Sequence, residues 1–248
     1  MIISFFEEFP SGQNLKRVQY LSQPTKLYIA ANSVTEFRKI VSNIKSKNVR
    51  EFIYWPILKR KEGYWISPFS ERKALLRIFQ ELDGKDIPVM LDLELPTTRN
   101  PFLYITQLLN FGRNKRLIRK FIEQYQADIY LAEYYPEGKI SERALELLGL
   151  HYVHQNVKII KMFYRSMHHF SDDFLRKELQ RGKQEYGARF IPSFGVIMSG
   201  IMGNEPVLSP KQLEHDLQIA KKVGIKEVIV FRLGGLEKEY GKVLKKFS

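Results

Sequence analysis

The segment Ile87-Pro-Val-Met-Leu-Asp92-Leu-Glu94-Leu95 is apolar at almost every position and carries two carboxylates near its end. A strand with one wet face alternates apolar and polar residues. A near-continuous apolar run of this length instead fits a strand buried on both faces, as in a parallel sheet covered by helices. Working outward, seven further runs rich in Ile, Val, Phe and Tyr occupy residues 2–9, 26–31, 51–58, 128–135, 157–164, 188–197 and 226–233. Amphipathic stretches with helix-start signals lie between them. Ser33-Val-Thr-Glu36 reads as a capping box, Ser171-Asp-Asp places acids in a first turn, and Ser209-Pro210-Lys-Gln212 combines a cap, a proline at the first helical position and a reciprocal glutamine. Gly84, Gly149, Gly187 and Gly224 stand where helices should stop. Strand and helix alternating eight times, with short joints, implies an α/β protein. A (β/α)8 TIM barrel takes about 250 residues, and one such domain over residues 1–248 is the expected architecture. An open doubly wound sheet usually shows G-x-G-x-x-G after its first strand; here that place reads Phe9-Pro-Ser-Gly-Gln-Asn14.

The chain has 248 residues with 40 Lys+Arg, 27 Asp+Glu and no cysteine, a formal net charge of +13. Without cysteine there is no disulfide framework, thiolate metal site or cysteine nucleophile. A hydrophobic fraction of 44% and an aromatic fraction of 13% argue for a packed core in spite of the charge. No stretch approaches the ~20 apolar residues that span a bilayer, and residues 1–10 have no basic start, so the expectation is a soluble cytoplasmic protein without a signal peptide and without membrane contact. Abundant Lys, Arg and Glu with no Cys also resembles the composition of many thermophile proteins. The positive charges are spread over helical segments next to acids, which reads as a solvated outer shell. Lys59-Arg-Lys61 and Arg113-Asn-Lys-Arg116 have aromatic neighbours, but no RNA- or DNA-binding signature accompanies them, and nucleic acid is not the expected partner.

In a barrel of this class function sits at the C-terminal ends of the strands. In order, those ends present Glu7 and Glu8, Asn32, Trp55, Asp92 and Glu94, Glu133, Tyr164 and Arg165, Ser193, and Arg232. The five histidines stand elsewhere, so a histidine-based metal site is not expected. Asp92 and Glu94 are the sharpest feature. Two residues apart on a strand, they point to one side. Mutual repulsion then raises the pKa of one of them, and a raised carboxyl can act as general acid near neutral pH. The competing structural reading pairs one acid with Arg232 or Arg165. Conventional two-carboxylate glycosidases need a second acid. The seventh run, Ala188-Arg-Phe-Ile-Pro-Ser-Phe-Gly-Val-Ile197, offers none. A single acid with a helper Asp suits substrate-assisted hydrolysis, with Glu94 protonating the leaving oxygen and Asp92 orienting the sugar's acetamido group. Glu133 or Glu8 remains available as the second carboxylate of a conventional pair.

These strand ends resemble those of family-18 chitinases and their relatives. Their fourth strand ends in D-x-E, matched by Asp92-Leu-Glu94, and their sixth carries M-x-Y-D, which Met162-Phe-Tyr164-Arg165 resembles in its first three positions. The resemblance implies a glycoside hydrolase barrel, with Tyr164 hydrogen-bonding the acetamido oxygen and Phe231 near the place of a tryptophan under the sugar. The sequence departs from the family at Val89 and Met90, where further acids stand, and at Arg165, where the aspartate stands.

Flat rings stack on pyranose faces, and Trp55, Trp65 and Tyr134 fall at or just after strand ends. With Glu8, Asn32, Arg165, Phe231 and Arg232 they make the expected lining of a site for a small-molecule or oligosaccharide substrate, with Glu94, Asp92, Tyr164 and Glu133 as its chemical core and with no cofactor or metal. Two alternatives compete. Barrels often hold phosphate in the loops after strands seven and eight, which points to Arg232, Gly234 and Gly235 and a phosphate-ester substrate. Asp92, Glu94, Glu133 and Glu8 could instead converge on Mg²⁺ or Mn²⁺.

Overall fold

The apolar runs form strands and the amphipathic stretches form helices, as their periods dictate. The computed structural model describes residues 1–96, 102–134 and 142–247. Strands β1 (Ile2–Glu7), β2 (Thr25–Ala31), β3 (Val49–Pro56), β4 (Val89–Leu93), β5 (Ile129–Tyr134), β6 (Val157–Phe163), β7 (Phe190–Gly195) and β8 (Glu227–Phe231) close into a barrel in sequence order. The helices among the described residues are α1 (Gly12–Leu15), α2 (Val34–Ser42), α3 (Arg72–Leu82), α4 (Phe102–Leu108), α5 (Phe111–Gln124), α6 (Glu142–Leu148), α7 (Asp172–Tyr186), α8 (Pro210–Val223) and α9 (Lys238–Lys245). The fold is a (β/α)8 barrel.

Helix starts follow the sequence signals with one change of partner. Ser209 Oγ accepts from Gln212 N–H at 3.3 Å and the Gln212 side chain accepts from Ser209 N–H at 2.9 Å, the reciprocal box. Ser171 Oγ accepts from Phe174 N–H at 3.2 Å. Ser33 Oγ accepts from Glu36 N–H at 3.1 Å, but the Glu36 carboxylate takes the N–H of Asn32 at 2.8 Å instead of that of Ser33. Gly224 ends α8 in the left-handed conformation, φ 79°, which costs a glycine little. Strand seven starts later than its apolar run because residues 187–189 form a 3-10 turn.

The chain groups into two compact units, Met1–Ala30 with Lys39–Ile53 and Ile160–Ser248, and Ala31–Arg38 with Tyr54–Ile159. In the first, β1 pairs in parallel with β2 and β8, and β7 with β8, so Ser4, Ile229 and Ser193 stand in one row. Its core includes Ile3, Phe5, Leu27, Phe194, Leu213 and Leu217, all fully buried. Each such aliphatic side chain contributes roughly 1.5–3 kcal/mol by leaving water. Near the strand starts Lys26 joins Glu227 at 2.9 Å and Glu51 at 3.6 Å, while Ser4 Oγ donates to Glu227 at 3.0 Å. In the second, β4 pairs with β5 in the register Met90↔Tyr130, Asp92↔Ala132, Leu93↔Glu133. Helices α3 and α5 cover it with Leu75, Ile78, Leu82, Ile118 and Ile122, and the Phe79 and Phe121 rings stack at 4.3 Å. Among the described residues no helix is long and apolar enough to cross a membrane.

Candidate active site

Strand β4 delivers the D-x-E pair. Asp92 lies within the strand, 5% exposed, and Glu94 is the first residue past it, half-buried. Next to them runs the long loop after β3. Its Ile66 N–H donates to the Asp92 carbonyl at 3.0 Å, which ties the loop to the end of β4. Trp65, the preceding residue, is half-buried and meets Tyr64 edge-on at 5.7 Å. Ser70 Oγ holds the Trp65 carbonyl at 2.7 Å. The loop's base is fixed by buried Glu62, which accepts from Lys59 N–H at 3.0 Å and from Arg77 Nη1 and Nη2 at 3.1 and 2.8 Å. Arg77 holds the Glu62 carboxyl below its ordinary pKa against the opposing effect of burial. Trp55, expected alongside Trp65 as a stacking ring, is 2% exposed and packs inside β3. Of the two tryptophans, Trp65 keeps partial exposure and Trp55 does not.

Two other expected residues of this unit, Glu133 and Asn32, stand apart from the pair. Neighbours in parallel register point the same way, so Asp92 shares its face with Ala132 and Glu133 shares the opposite face with Leu93. Glu133 is buried there, its carboxylate 2.8 Å from Nδ1 of buried His151. Asn32 is exposed and donates its N–H and Nδ2 to Glu36 at 2.8 and 3.3 Å, serving the start of α2. Tyr134 closes β5, and its side chain, with all of Tyr135, falls outside the described part of the chain.

The first unit holds two separate groups. Tyr164, buried, brings its hydroxyl within 3.5 Å of Ser193 Oγ and its ring to 5.8 Å from Phe231. Gly200 lies against the same cluster: a Cβ there would stand 2.7 Å from Glu8 Oε2 and 2.8 Å from Phe231. Phe231 thus adjoins Tyr164 on one side and, through Gly200, lies near Glu8. The second group surrounds Glu7. Its carboxylate takes Arg232 Nη1 at 3.0 Å, Gly234 N–H at 2.6 Å, Phe9 N–H at 2.9 Å and Asn14 Nδ2 at 3.2 Å. Burial pushes the Glu7 carboxyl up, and Arg232 with the three hydrogen bonds pulls it back. Arg232 also donates Nε and Nη2 to the Ser199 carbonyl at 3.0 and 2.8 Å. Gly235 is pressed against the Ile197 carbonyl, where a Cβ would collide. The phosphate-ester alternative needed Arg232 and Gly234 as open donors; Glu7 from the first strand already occupies both.

Arg165 also leaves the strand-end site. Its guanidinium reaches Asp216 Oδ1 at 2.8 Å on α8 and Asp172 Oδ1 at 2.9 Å on α7, where His215 Nε2 adds a 2.7 Å contact to Asp172. Burial lifts the Asp216 carboxyl to about 6 against the pull of Arg165, while His215 and Arg165 hold that of Asp172 below its ordinary value. Among the described residues no three or more His, Asp or Glu side chains are grouped to hold a metal ion.

No family model and no curated protein matches the sequence. Solved structures do match in fold. The PgaB (BpsB) glycoside hydrolase domain from Bordetella bronchiseptica superposes with a TM-score of 0.57 at 10% identity over 98% of this chain and 97% of its own. A GH18 chitinase from Pseudoalteromonas aurantia gives 0.56 at 10% identity over 98% of both chains. A D-tagatose 3-epimerase-like protein gives 0.54 at 12% identity over 100% of this chain and 96% of its own. What they share with it is the barrel. One fold hosting both hydrolase and epimerase-like proteins leaves function to the site.

Proposed function

We propose that this barrel acts on or binds a carbohydrate, N-acetylated sugars included, as a glycoside hydrolase-like protein with Glu94 as the general acid and Asp92 as its helper. The observation that carries the reading is the end of β4. There a buried Asp92 precedes a half-buried Glu94, beside a loop that is tied to the Asp92 carbonyl and leaves Trp65 half-buried. A half-buried indole on a loop tied to the strand that carries the acid suits a pyranose, which offers an apolar face to a ring and an oxygen to an acid. In this reading Glu94 protonates the leaving glycosidic oxygen. Asp92 orients the acetamido group that closes on the anomeric carbon and balances its developing positive charge. The likeness of fold to two glycoside hydrolase structures agrees with the reading.

The phosphate-ester alternative is weakened by the Glu7 carboxylate on Arg232 and Gly234. The test is hydrolysis of an N-acetylated aryl glycoside by the wild type and by Glu94→Gln. The variant loses about 100-fold or more of the rate, the usual size of a general acid's contribution, while its melting temperature holds or rises. Full rate in the variant overturns the assignment.

A further inference from the structure

Helix α4, in the second unit, is apolar on both sides. Inward, Leu103 is buried, and Tyr104 meets Phe69 of the loop after β3 at 5.3 Å while its hydroxyl donates to the Pro96 carbonyl at 3.0 Å. Phe111, at the start of α5, packs on the same Phe69 ring at 5.0 Å. Outward, Phe102, Ile105 and Leu108, with Leu109 just past the helix, are between 64% and 91% exposed. Phe102, Ile105 and Leu109 stand at i, i+3 and i+7, one face, on the side opposite Leu103. A helix that is apolar all round is ordinarily covered all round, and an exposed apolar patch marks a contact surface.

The charge that follows this face says what it meets. Residues 95–122 contain no Asp or Glu. Helix α5 buries Asn114, Ile118 and Ile122 and turns Arg113, Arg116 and Lys120, again at i, i+3 and i+7, to solvent. Among the described residues none of these three is paired with a carboxylate. Arg116 Nε donates to the Gly112 carbonyl at 3.3 Å, which keeps its charge beside the joint between α4 and α5.

We propose that these two faces dock the protein on an anionic membrane surface. Phe102, Ile105 and Leu109 enter the boundary between headgroups and acyl chains, and Arg113, Arg116 and Lys120 meet the lipid phosphates and carboxylates. A second copy offering the same face would bring like charges together. A side chain standing as far out as Leu109 suits a fluid layer that closes around it. The sequence expectation of no membrane contact rested on the want of a spanning segment, and a peripheral contact needs none. The contact is independent of the chemistry assigned to Glu94.

The experiment is flotation of the full chain with vesicles of phosphatidylcholine alone and with vesicles in which roughly a third of the lipid is phosphatidylserine. The wild type binds the anionic vesicles at least tenfold more tightly than the neutral ones, and added salt weakens that binding. Ile105→Ser combined with Leu109→Ser, both exposed changes that leave the melting temperature unaltered or raised, weakens it at least tenfold. Arg113→Gln combined with Arg116→Gln does the same and flattens the salt dependence. Failure of the wild type to bind either vesicle overturns the proposal. Anionic binding left unchanged by the Ile105→Ser, Leu109→Ser variant overturns it as well, because net charge alone would then account for the attraction. Dimerisation of the wild type in light scattering, abolished by that variant and without vesicle binding, assigns the face to a second copy and overturns it too.

Discussion

The Glu133 carboxylate and Nδ1 of His151 lie 2.8 Å apart, both buried, on the face of the β4–β5 ladder opposite to Asp92. Glu133 therefore holds an imidazole in place and stands one residue out of phase with the D-x-E pair. Glu133→Gln is expected to cost on the order of 1–3 kcal/mol of stability, the penalty for disturbing a buried charge-assisted hydrogen bond. It should leave the rate of glycoside cleavage unchanged at temperatures where the variant is folded. Chemical denaturation and the same aryl-glycoside assay used for Glu94→Gln separate the two acids. A rate loss comparable to that of Glu94→Gln would return Glu133 to the chemistry.

Much of the fold was legible because it depends on local pattern. Near-continuous apolar runs announce strands covered on both faces, and the box at Ser209 and Gln212 depends only on neighbours three residues apart. The site was legible only in part, because partners are a long-range matter. Glu7 and Arg232 stand 225 residues apart in sequence, and Arg165 and Asp216 stand 51 apart. Nothing in the sequence says which carboxylate a given arginine meets. Strand parity did contain a usable signal: once Asp92 is paired with Ala132, Glu133 must face away. The register that pairs them comes from the closed sheet and not from either segment. Trp55 and Trp65 look equivalent in the sequence, yet one lies buried within β3 and the other in the loop beyond, where it is only half-buried.

Arg232 neutralises a carboxylate that is fully buried. Removing one partner of such a pair leaves an uncompensated charge, which typically costs about 3–5 kcal/mol. Arg232→Met is expected to fall in that range at pH 7. Burial already raises the Glu7 pKa, and without Arg232 it rises further. A carboxyl with a raised folded-state pKa binds more protons in the native than in the unfolded protein, so stability falls as pH climbs above the ordinary carboxylate value. The deficit of Arg232→Met is thus larger at pH 8 than at pH 4, and Glu7→Gln in the same chain recovers part of it. Urea melts at the two pH values check this; a deficit independent of pH would mean that the loss is one of packing alone.

Asp216 makes a second prediction about pH, in the range where its carboxyl titrates. Burial lifts it to about 6 from an ordinary 3.8. Between those values the native state holds more of the proton, so this group lowers stability as pH rises from about 4 to about 6 and adds nothing further above that. Asp172 acts in the opposite sense. Its lowered pKa gives stability that is present above the ordinary aspartate value and lost as pH falls below it. Asp216→Asn removes the first effect and keeps the second. The variant's melting temperature is expected to decline less steeply than the wild type's from pH 4 to pH 6, even if its absolute value is lower for want of the Arg165 ion pair. Identical slopes would show that Asp216 titrates outside this window.

Gly182 sits in the middle of α7, where alanine would ordinarily gain about 1 kcal/mol from helix propensity. Here the gain is outweighed. A Cβ at Gly182 would stand 2.4 Å from the ring of Phe190, the first residue of β7, and that buried ring has little room to retreat. Overpacking of this kind costs roughly 1–3 kcal/mol, so Gly182→Ala is expected to destabilise the protein on balance. Phe190→Leu should lose stability alone by opening a cavity, and should lose less in the presence of Gly182→Ala, because the added methyl fills part of the space. A double-mutant cycle from denaturation midpoints measures that coupling. Additive losses would mean that α7 shifts away from β7 as a body and that the close approach at Gly182 is not what sets their spacing.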